Sequence, residues 1–246
     1  MTKPKVAFFD FAGCEGDQLQ IANLEENLLE LLGHVEVVSF REIMKEHSDD
    51  YDIAFIEGSC TRPSDEERLR EIRKNAKVVV AIGSCATNGG INSLKNARPL
   101  DQVRKDVYGD KAELFETYAA RPIDAVITVD YKVHGCPITK DEFLKVCKAL
   151  LTGQKFSPSN YPVCVECKLA ENVCVFENGQ TCVGPVTRAG CGACCVSEGA
   201  ICWGCRGLVD NPNKDSHKDV LDKYGLTAEE IINKFNMYFC WQEGKK

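Results

Sequence analysis

Fifteen cysteines are the residues of this chain best suited to chemistry, and their spacing suits metal ligation. Nine of them lie between Cys164 and Cys205, in two dense series. In a reducing compartment such a density usually reflects metal or redox chemistry, because thiols there rarely persist as disulfides. A chain of 246 residues can also build a hydrophobic core without disulfide staples. We therefore predict that these thiols hold metal.

The dense segment contains enough thiols for two four-cysteine sites, with one cysteine left over. Structural zinc and iron–sulfur clusters both use four thiolates, so the spacing alone leaves both interpretations open. Two features favour iron. Nine close thiolates suit adjacent redox centres, and further cysteines follow predicted strands far upstream, which is not a structural-zinc arrangement.

The predicted secondary structure that positions these cysteines changes near residue 155. Before it, strand-length apolar runs alternate with helical patterns. The strands are predicted at residues 6–9, 34–40, 53–56, 77–82 and 125–129, and the helices at 18–32, from 64 onward and at 139–151. Uniformly apolar strands separated by helices indicate a parallel sheet covered on both faces. We predict an α/β fold with a flavodoxin-like open parallel sheet over residues 1–154.

Residues 155–246 are predicted to form a small irregular domain. Periodic patterns are missing there until a helical pattern returns over residues 227–241. Such a segment buries too little apolar surface to fold unaided, so inorganic clusters would act as its core.

Four further cysteines each follow a predicted strand or its turn: Cys14, Cys60, Cys85 and Cys136. The carboxyl ends of parallel strands meet at one edge of the sheet, and ligands of doubly wound folds collect there. We therefore expect these four thiols to gather at that edge.

Composition excludes several other functions. The net charge of −7 and the lack of a basic stripe argue against nucleic-acid binding. No apolar stretch is long enough to span a membrane, and the first residues do not form a secretory signal, so we expect a cytoplasmic protein. Phosphate-binding and dinucleotide-binding glycine motifs are also missing from the sequence.

Several motifs resemble the proximal-cluster signatures of [NiFe]-hydrogenase small subunits. They are Gly13-Cys14-Glu15-Gly16-Asp17-Gln18-Leu19-Gln20, Glu57-Gly58, Gly83-Ser84-Cys85 and Gly135-Cys136-Pro137. Residues 162–193 are similar to the two-cluster segment of cytoplasmic, group 3-type small subunits, such as sulfhydrogenase delta and methylviologen-reducing hydrogenase small subunits. The resemblance covers nearly the whole chain.

The resemblance implies an electron-transfer subunit with three [4Fe–4S] clusters. It assigns the proximal cluster to Cys14, Cys85 and Cys136. It assigns the distal cluster to Cys164, Cys167, Cys174 and Cys182, and the medial cluster to Cys191, Cys195, Cys202 and Cys205, leaving Cys194 unused. The implied partners are a [NiFe]-hydrogenase large subunit and a flavin-, NAD(P)- or ferredoxin-linked redox subunit.

The proximal motif departs from the family at one position, where Asp17 stands in place of the second cysteine. Either Asp17 ligates iron through oxygen or Cys60 supplies the missing thiolate. We favour Cys60, because thiolate is the usual ligand of iron–sulfur clusters.

Four other residues are candidates for contact with the proximal cluster. Gly13, Gly16 and Gly83 would let the backbone approach the cluster closely, or they only form tight strand-to-helix turns. Glu57 would hydrogen-bond near the cluster or relay protons, or it is simply a turn residue.

Two rival functions stay open from the sequence. One is the cluster-bearing subunit of a related quinone- or formate-linked complex, although quinone-reductase relatives resemble only the sheet domain and carry a tandem cysteine pair that is absent at Cys14. The other is a zinc-stapled structural protein, which would contain zinc and no acid-labile sulfide.

Overall fold

A computed structural model describes residues 3–241, and its centre is a five-stranded, all-parallel sheet. The strands are β1 (Lys5–Asp10), β2 (Glu36–Phe40), β3 (Ile53–Glu57), β4 (Val78–Ile82) and β5 (Tyr131–Val133). Their order is β2-β1-β3-β4-β5, which is the flavodoxin-like order of a doubly wound sheet. The predicted α/β fold class is confirmed.

Helices cover both faces of this sheet. They are α1 (Gly16–Ala22), α2 (Glu26–His34), α3 (Pro63–Asn75), α4 (Gly83–Asn88), α5 (Leu100–Tyr108) and α6 (Lys140–Thr152). Strand side chains alternate between two cores. One core joins Phe8 and Phe55 to α1 and α6, and the other joins Ala54 and Ile56 to α3.

The α6 helix has the ends that its sequence predicts. The Thr139 hydroxyl accepts a hydrogen bond from the backbone N–H of Glu142, which is an N-cap contact. Gly153 ends the helix in the left-handed conformation that glycine tolerates best. The helix thereby presents Phe143 and Val146 to the core.

The single helix expected over residues 18–32 is instead two helices. Helix α1 ends at Ala22 and α2 starts at Glu26. Between them Glu25 has a positive φ of 57°, and Leu24 turns into the core with 2% of its surface exposed. The apolar residues of this segment therefore belong to two short helices. The first helix ends before Leu24 because the chain turns there to bury the Leu24 side chain.

The strand expected over residues 125–129 was wrong in position. Ile123–Ala125 forms a 3-10 turn, and Ile123 and Ile127 fill the core beneath the sheet. Asp130 then joins β4, since its backbone N–H donates to the Val79 carbonyl and its carboxylate accepts from the Val79 N–H. Strand pairing begins only at Tyr131 opposite Val80.

Beyond residue 155 the chain forms short helices without strands in its described part. These are α7 (Val163–Leu169), α8 (Cys194–Ser197), α9 (Lys214–Lys223) and α10 (Ala228–Phe239). The sequence predicted α10, whose Thr227 and Glu230 form a capping box, but it did not predict α9. A third core combines Val163, Val175 and Ala193 with the thiols of Cys182 and Cys202.

None of the helices within residues 3–241 is long and apolar enough to cross a membrane.

Candidate functional site

The first group of thiols lies at the carboxyl edge of the sheet. Cys14 follows β1, Cys85 lies in α4 directly after β4, and Cys136 follows β5. Burial, followed by the charges of the neighbouring Cys136, Asp17 and Cys14, raises the pKa of Cys85 to about 12. Three predicted ligands from remote parts of the sequence are therefore neighbours.

Asp17 is part of this group. Its carboxylate accepts a hydrogen bond of 2.7 Å from the backbone N–H of Ile138 and lies against Gly83. A Cβ added at Gly83 would come within 1.7 Å of the Asp17 Oδ2 atom, so only glycine leaves room for this carboxylate. Burial, followed by the charge of Glu57, raises the pKa of Asp17 to about 7.

Glu57 supports the start of α1 from the end of β3. Its carboxylate accepts hydrogen bonds from the backbone N–H groups of Asp17 (3.2 Å) and Gln18 (2.9 Å). Burial raises the pKa of Glu57, and these two N–H groups oppose that shift. Glu57 is thus a buried carboxylate that fixes the position of Asp17.

Cys60 does not join this group. Its thiol lies 2.9 Å from the Tyr118 hydroxyl and packs in the core beneath α3. The backbone of Cys60 pairs with Arg121, and this pairing turns the side chain toward α3. Burial raises the pKa of Cys60, and the charged neighbours that modify it are Arg121, Asp65 and Glu66. The Cys60 thiol therefore faces the core beneath α3 and not the group of Cys14, Cys85 and Cys136.

Small residues line the first group closely. A Cβ at Gly16 would lie 3.3 Å from the Cys14 Sγ atom, and one at Gly90 would lie 2.7 Å from the Cys85 Sγ atom. Gly13 packs against Gly58, where a Cβ would lie 3.3 Å from the Gly58 Cα atom. The Asn92 side-chain amide donates to the Cys85 Sγ atom at 3.7 Å. The backbone therefore approaches the thiols closely, as an iron–sulfur site requires.

A second group contains the four cysteines from 164 to 182. Burial, followed by the charges of Cys182, Cys167 and Cys174, raises the pKa of Cys164 to about 11. The Cys182 Sγ atom accepts hydrogen bonds from the backbone N–H groups of Gly184 (3.3 Å) and Cys202 (3.4 Å). The structure thus brings all four thiols of this predicted set together.

A third group surrounds Cys205. Burial raises the pKa of Cys205 to about 12, and nearby Cys191, Cys136 and Cys195 contribute. Cys194, which the sequence left over, is a neighbour of Cys195 and Cys191. The fourth predicted member, Cys202, is also a neighbour of Cys205, but its backbone N–H donates to the Cys182 Sγ atom of the second group at 3.4 Å. Cys202 therefore lies between the two groups.

Two charged side chains hold the thiol-rich segment in place. The Glu166 carboxylate accepts from the backbone N–H groups of residues 190, 191 and 192, at 2.8, 3.2 and 2.9 Å, which fixes the loop of Cys191. The Arg206 guanidinium, with 1% of its side chain exposed, binds both carboxylate oxygens of Glu142. Arg206 also donates to the carbonyls of His134 and Ala189, and it thereby joins this segment to the sheet.

The donor chemistry of these groups fits iron–sulfur clusters. Burial and neighbouring charges raise the pKa of most of their thiols, so several thiolates can lie together only beside a strongly cationic centre. Among residues 3–241, no three His, Cys, Asp or Glu side chains are arranged to hold a single metal ion.

Comparison with known proteins identifies the family of this chain. Residues 14–150, which run from the turn before α1 through most of α6, match the family described as NADH ubiquinone oxidoreductase, 20 Kd subunit. Within that class, the chain belongs to the small-subunit family of group 3-type [NiFe] hydrogenases. It is 32% identical over 240 residues to sulfhydrogenase 2 subunit delta of Pyrococcus furiosus, covering 96% of this chain and 100% of that protein.

Other relatives agree with this assignment. The chain is 35% identical to a vhu-type component of the F420-non-reducing hydrogenase of Methanocaldococcus jannaschii, over 94% of this chain and 91% of that one. A solved NAD+-reducing [NiFe]-hydrogenase in the H2-reduced state matches with a TM-score of 0.57 and 28% identity, over 63% of this chain and 94% of its own. A Ni-Fe-Se hydrogenase of Desulfomicrobium baculatum shares the fold, with a TM-score of 0.55 and 17% identity, over 88% and 98%.

Several residues that support the site were not predicted from the sequence: Asn92, Glu142, Glu166 and Arg206. Two of them could have been recognised from their positions in the sequence, because Glu166 lies inside a Cys-x2-Cys motif and Arg206 directly follows Cys205. A charged residue within a run of cysteines predicts a contact to the loops of the site.

Proposed function

We propose that this chain is the electron-transferring small subunit of a cytoplasmic [NiFe] hydrogenase. It would relay electrons between the H2 site of a large subunit and a further redox subunit with flavin, NAD(P) or ferredoxin chemistry. One observation carries the proposal: the three thiol groups are held next to one another. The side-chain amide of Asn88, in the helix α4 that contains Cys85, donates to the backbone carbonyl of Cys205 at 3.5 Å. The backbone N–H of Cys202 donates to the Cys182 Sγ atom of the second group at 3.4 Å.

The proposed ligands form three sets. The proximal set is Cys14, Cys85 and Cys136, with the Asp17 carboxylate as the fourth donor. The medial set is Cys191, Cys195, Cys202 and Cys205. The distal set is Cys164, Cys167, Cys174 and Cys182. When bound, each set would hold a [4Fe–4S] cluster that exchanges single electrons at low potential.

The chain's own residues keep these sets aligned. Arg206 places a buried positive charge beside the medial thiols and at the same time fixes them to α6 through Glu142. Glu166 fixes the Cys191 loop against α7, the helix that also carries two of the distal ligands. A division into residues 1–154 and 155–246 is proposed on this basis, with Arg206 at the junction.

The surroundings of the proximal set suit a partner surface. Cys14 and Cys136 are exposed while Cys85 is buried, so this set opens toward the outside at the carboxyl edge of the sheet. We propose that the hydrogenase large subunit covers this edge. The distal set then lies at the other end of the series, toward the further redox subunit.

The proposal is tested by purifying the chain anaerobically from its native host and identifying the chains that accompany it. We expect a large subunit with the nickel–iron site, and we expect H2 to bleach the iron–sulfur absorption of the complex. Purification without such a partner, or a complex that H2 leaves oxidised, would contradict the proposed function.

Separate substitutions distinguish Asp17 from Cys60 as the fourth proximal donor. We expect Asp17→Ala to remove about one iron per chain and alter the proximal electron paramagnetic resonance (EPR) signal, because one iron loses its protein ligand. Cys60→Ala is the matched control and should leave that signal unchanged, since the Cys60 thiol contacts Tyr118. An altered proximal signal in Cys60→Ala together with an unchanged signal in Asp17→Ala would identify Cys60 as the fourth ligand instead.

A further inference from the structure

A cavity of about 600 Å³ lies at the carboxyl edge of the sheet, next to the proximal thiols. It is enclosed by the residues that follow β1, the start of α3, the 3-10 helix Ile91–Ala97 and α5. Asn92 is one of its lining residues, and the Asn92 amide also donates to the Cys85 Sγ atom. The cavity therefore borders the proximal site without containing any of its proposed ligands.

The lining of this cavity carries more positive than negative charge. Five cations face three anions: Arg41, Arg62, Arg68, Lys95 and Arg104 against Asp10, Asp65 and Glu116. The Asp10 carboxylate pairs with Arg41 at 3.2 Å and with Arg68 at 3.9 Å. Arg62 pairs with Asp65 at 3.0 Å. These three arginines therefore already have carboxylate partners.

Lys95 differs, because it forms no ion pair with any residue in the described range 3–241. Its half-buried ammonium group donates one hydrogen bond, to the Thr117 hydroxyl at 2.7 Å, although an ammonium group has three protons to donate. Burial lowers the pKa of Lys95, and the charge of Asp65 offsets only part of that shift. Arg104 has an exposed partner in Asp101 at 3.6 Å, but its Nε atom is buried without a hydrogen-bond partner. The cavity thus offers unused donors to an anion.

The segment that walls this cavity also exposes large apolar side chains. Between 40% and 77% of the surface is exposed at Ile91, Leu94, Val107, Tyr108, Leu114 and Phe115. The Tyr108 and Phe115 rings stack with their centroids 4.0 Å apart, and both line the cavity. Helix α5 packs on the 3-10 helices before and after it, so these side chains belong to one surface. Such a surface marks contact with another protein, which favours an anion supplied by a protein partner.

We propose that an acidic side chain of the hydrogenase large subunit enters this cavity and pairs with Lys95. The proposal rests on the proposed function, because it takes the large subunit as the chain that covers this edge. It goes further in giving the contact a residue and a charge. The apolar side chains of residues 91–115 would pack against the large subunit, and they would shield the pair from water and strengthen it.

Zero-length cross-linking of the anaerobically purified complex tests the pairing without any substitution. A carbodiimide activates a carboxyl group, and the Lys95 Nζ atom then displaces the activated oxygen, which leaves as a urea, to form an amide. We expect mass spectrometry to find a peptide that joins Lys95 to an aspartate or glutamate of the large subunit. Lys95→Arg should abolish this cross-link and keep the complex, because arginine retains the charge but not the reactive amine.

Lys95→Met should weaken the complex, since the acidic partner would be buried without its cation. We expect the dissociation constant of the two subunits to rise by about 30-fold or more. Lys105→Met is the matched control: Lys105 lies on α5 in the same segment, is exposed, and does not line the cavity. Its substitution should leave the dissociation constant within about twofold of the wild-type value.

Equal weakening by Lys95→Met and Lys105→Met would overturn the proposal, as would a wild-type complex in which Lys95 forms no cross-link to the large subunit. Protection of Lys95 from acetylation by inorganic phosphate, but not by the large subunit, would also overturn it and assign the cavity to a small anion. A wild-type chain that purifies without a large subunit would instead overturn the proposed function.

Discussion

Cys85→Ser is expected to abolish H2-driven reduction of the medial and distal clusters while leaving both clusters assembled. Cys85 is the most enclosed of the three proximal thiols, and serine offers iron a harder, less suitable donor. The rate of H2-driven electron transfer should fall by on the order of 100-fold or more. Substituting a residue that only supports a metal ligand already lowers metal affinity or activity by about 10–100-fold, and Cys85 is a proposed ligand itself. EPR after chemical reduction with dithionite should still show the remaining clusters.

Cys147→Ser is the matched control for this experiment. Cys147 is buried between α6 and the sheet, and burial alone raises its pKa to about 12, with no other thiol contributing. Its substitution should leave H2-driven reduction intact. Simultaneous loss of all cluster signals in Cys85→Ser would contradict three separately held clusters, and an unchanged rate would contradict a relay through the proximal site.

Arg206→Met is expected to destabilise the protein strongly, although Arg206 is not one of the proposed ligands. Its guanidinium is fully buried and satisfies both Glu142 oxygens and two backbone carbonyls. Methionine keeps much of the side-chain volume but leaves the Glu142 carboxylate buried without its partner, which costs about 3–5 kcal/mol. The midpoint of anaerobic thermal unfolding should fall by on the order of 10 °C.

The comparison for this prediction is Arg98→Met, which removes a surface ion pair with Asp106. Both side chains of that pair are about half exposed, at 52% and 51%, so the loss should be about 0–1 kcal/mol. The double change of Arg206→Met with Glu142→Leu should recover part of the loss, because no unpaired charge is then buried. Equal effects of Arg206→Met and Arg98→Met would contradict a structural role for the buried pair.

The sheet edge could be predicted from the sequence because strand ends follow directly from apolar runs. That reasoning placed Cys14, Cys85 and Cys136 together without any tertiary information. Both Asp17 and Cys60 lie near the same edge, so ligand chemistry alone favoured Cys60 as the fourth donor. The direction of the Cys60 side chain depends on backbone pairing with Arg121, a contact between segments that no local pattern indicates.

Contacts between segments that are remote in the sequence could likewise not be predicted. The apolar run before β5 is compatible with either a strand or a buried 3-10 turn. The 3-10 turn forms, and the contact of Asp130 with Val79 of β4 holds the chain there. The family resemblance also assigned Cys202 to the medial set alone, whereas its backbone N–H donates to the Cys182 Sγ atom of the distal set.

Quantifying iron, acid-labile sulfide and zinc in the anaerobically purified chain tests the central claim most directly. Three [4Fe–4S] clusters require about twelve irons and about twelve sulfides per chain, with zinc near zero. Zinc without sulfide, bound by the same thiols, would contradict the account entirely. About four irons per chain would leave only one cluster, and electrons could not pass along the three thiol groups.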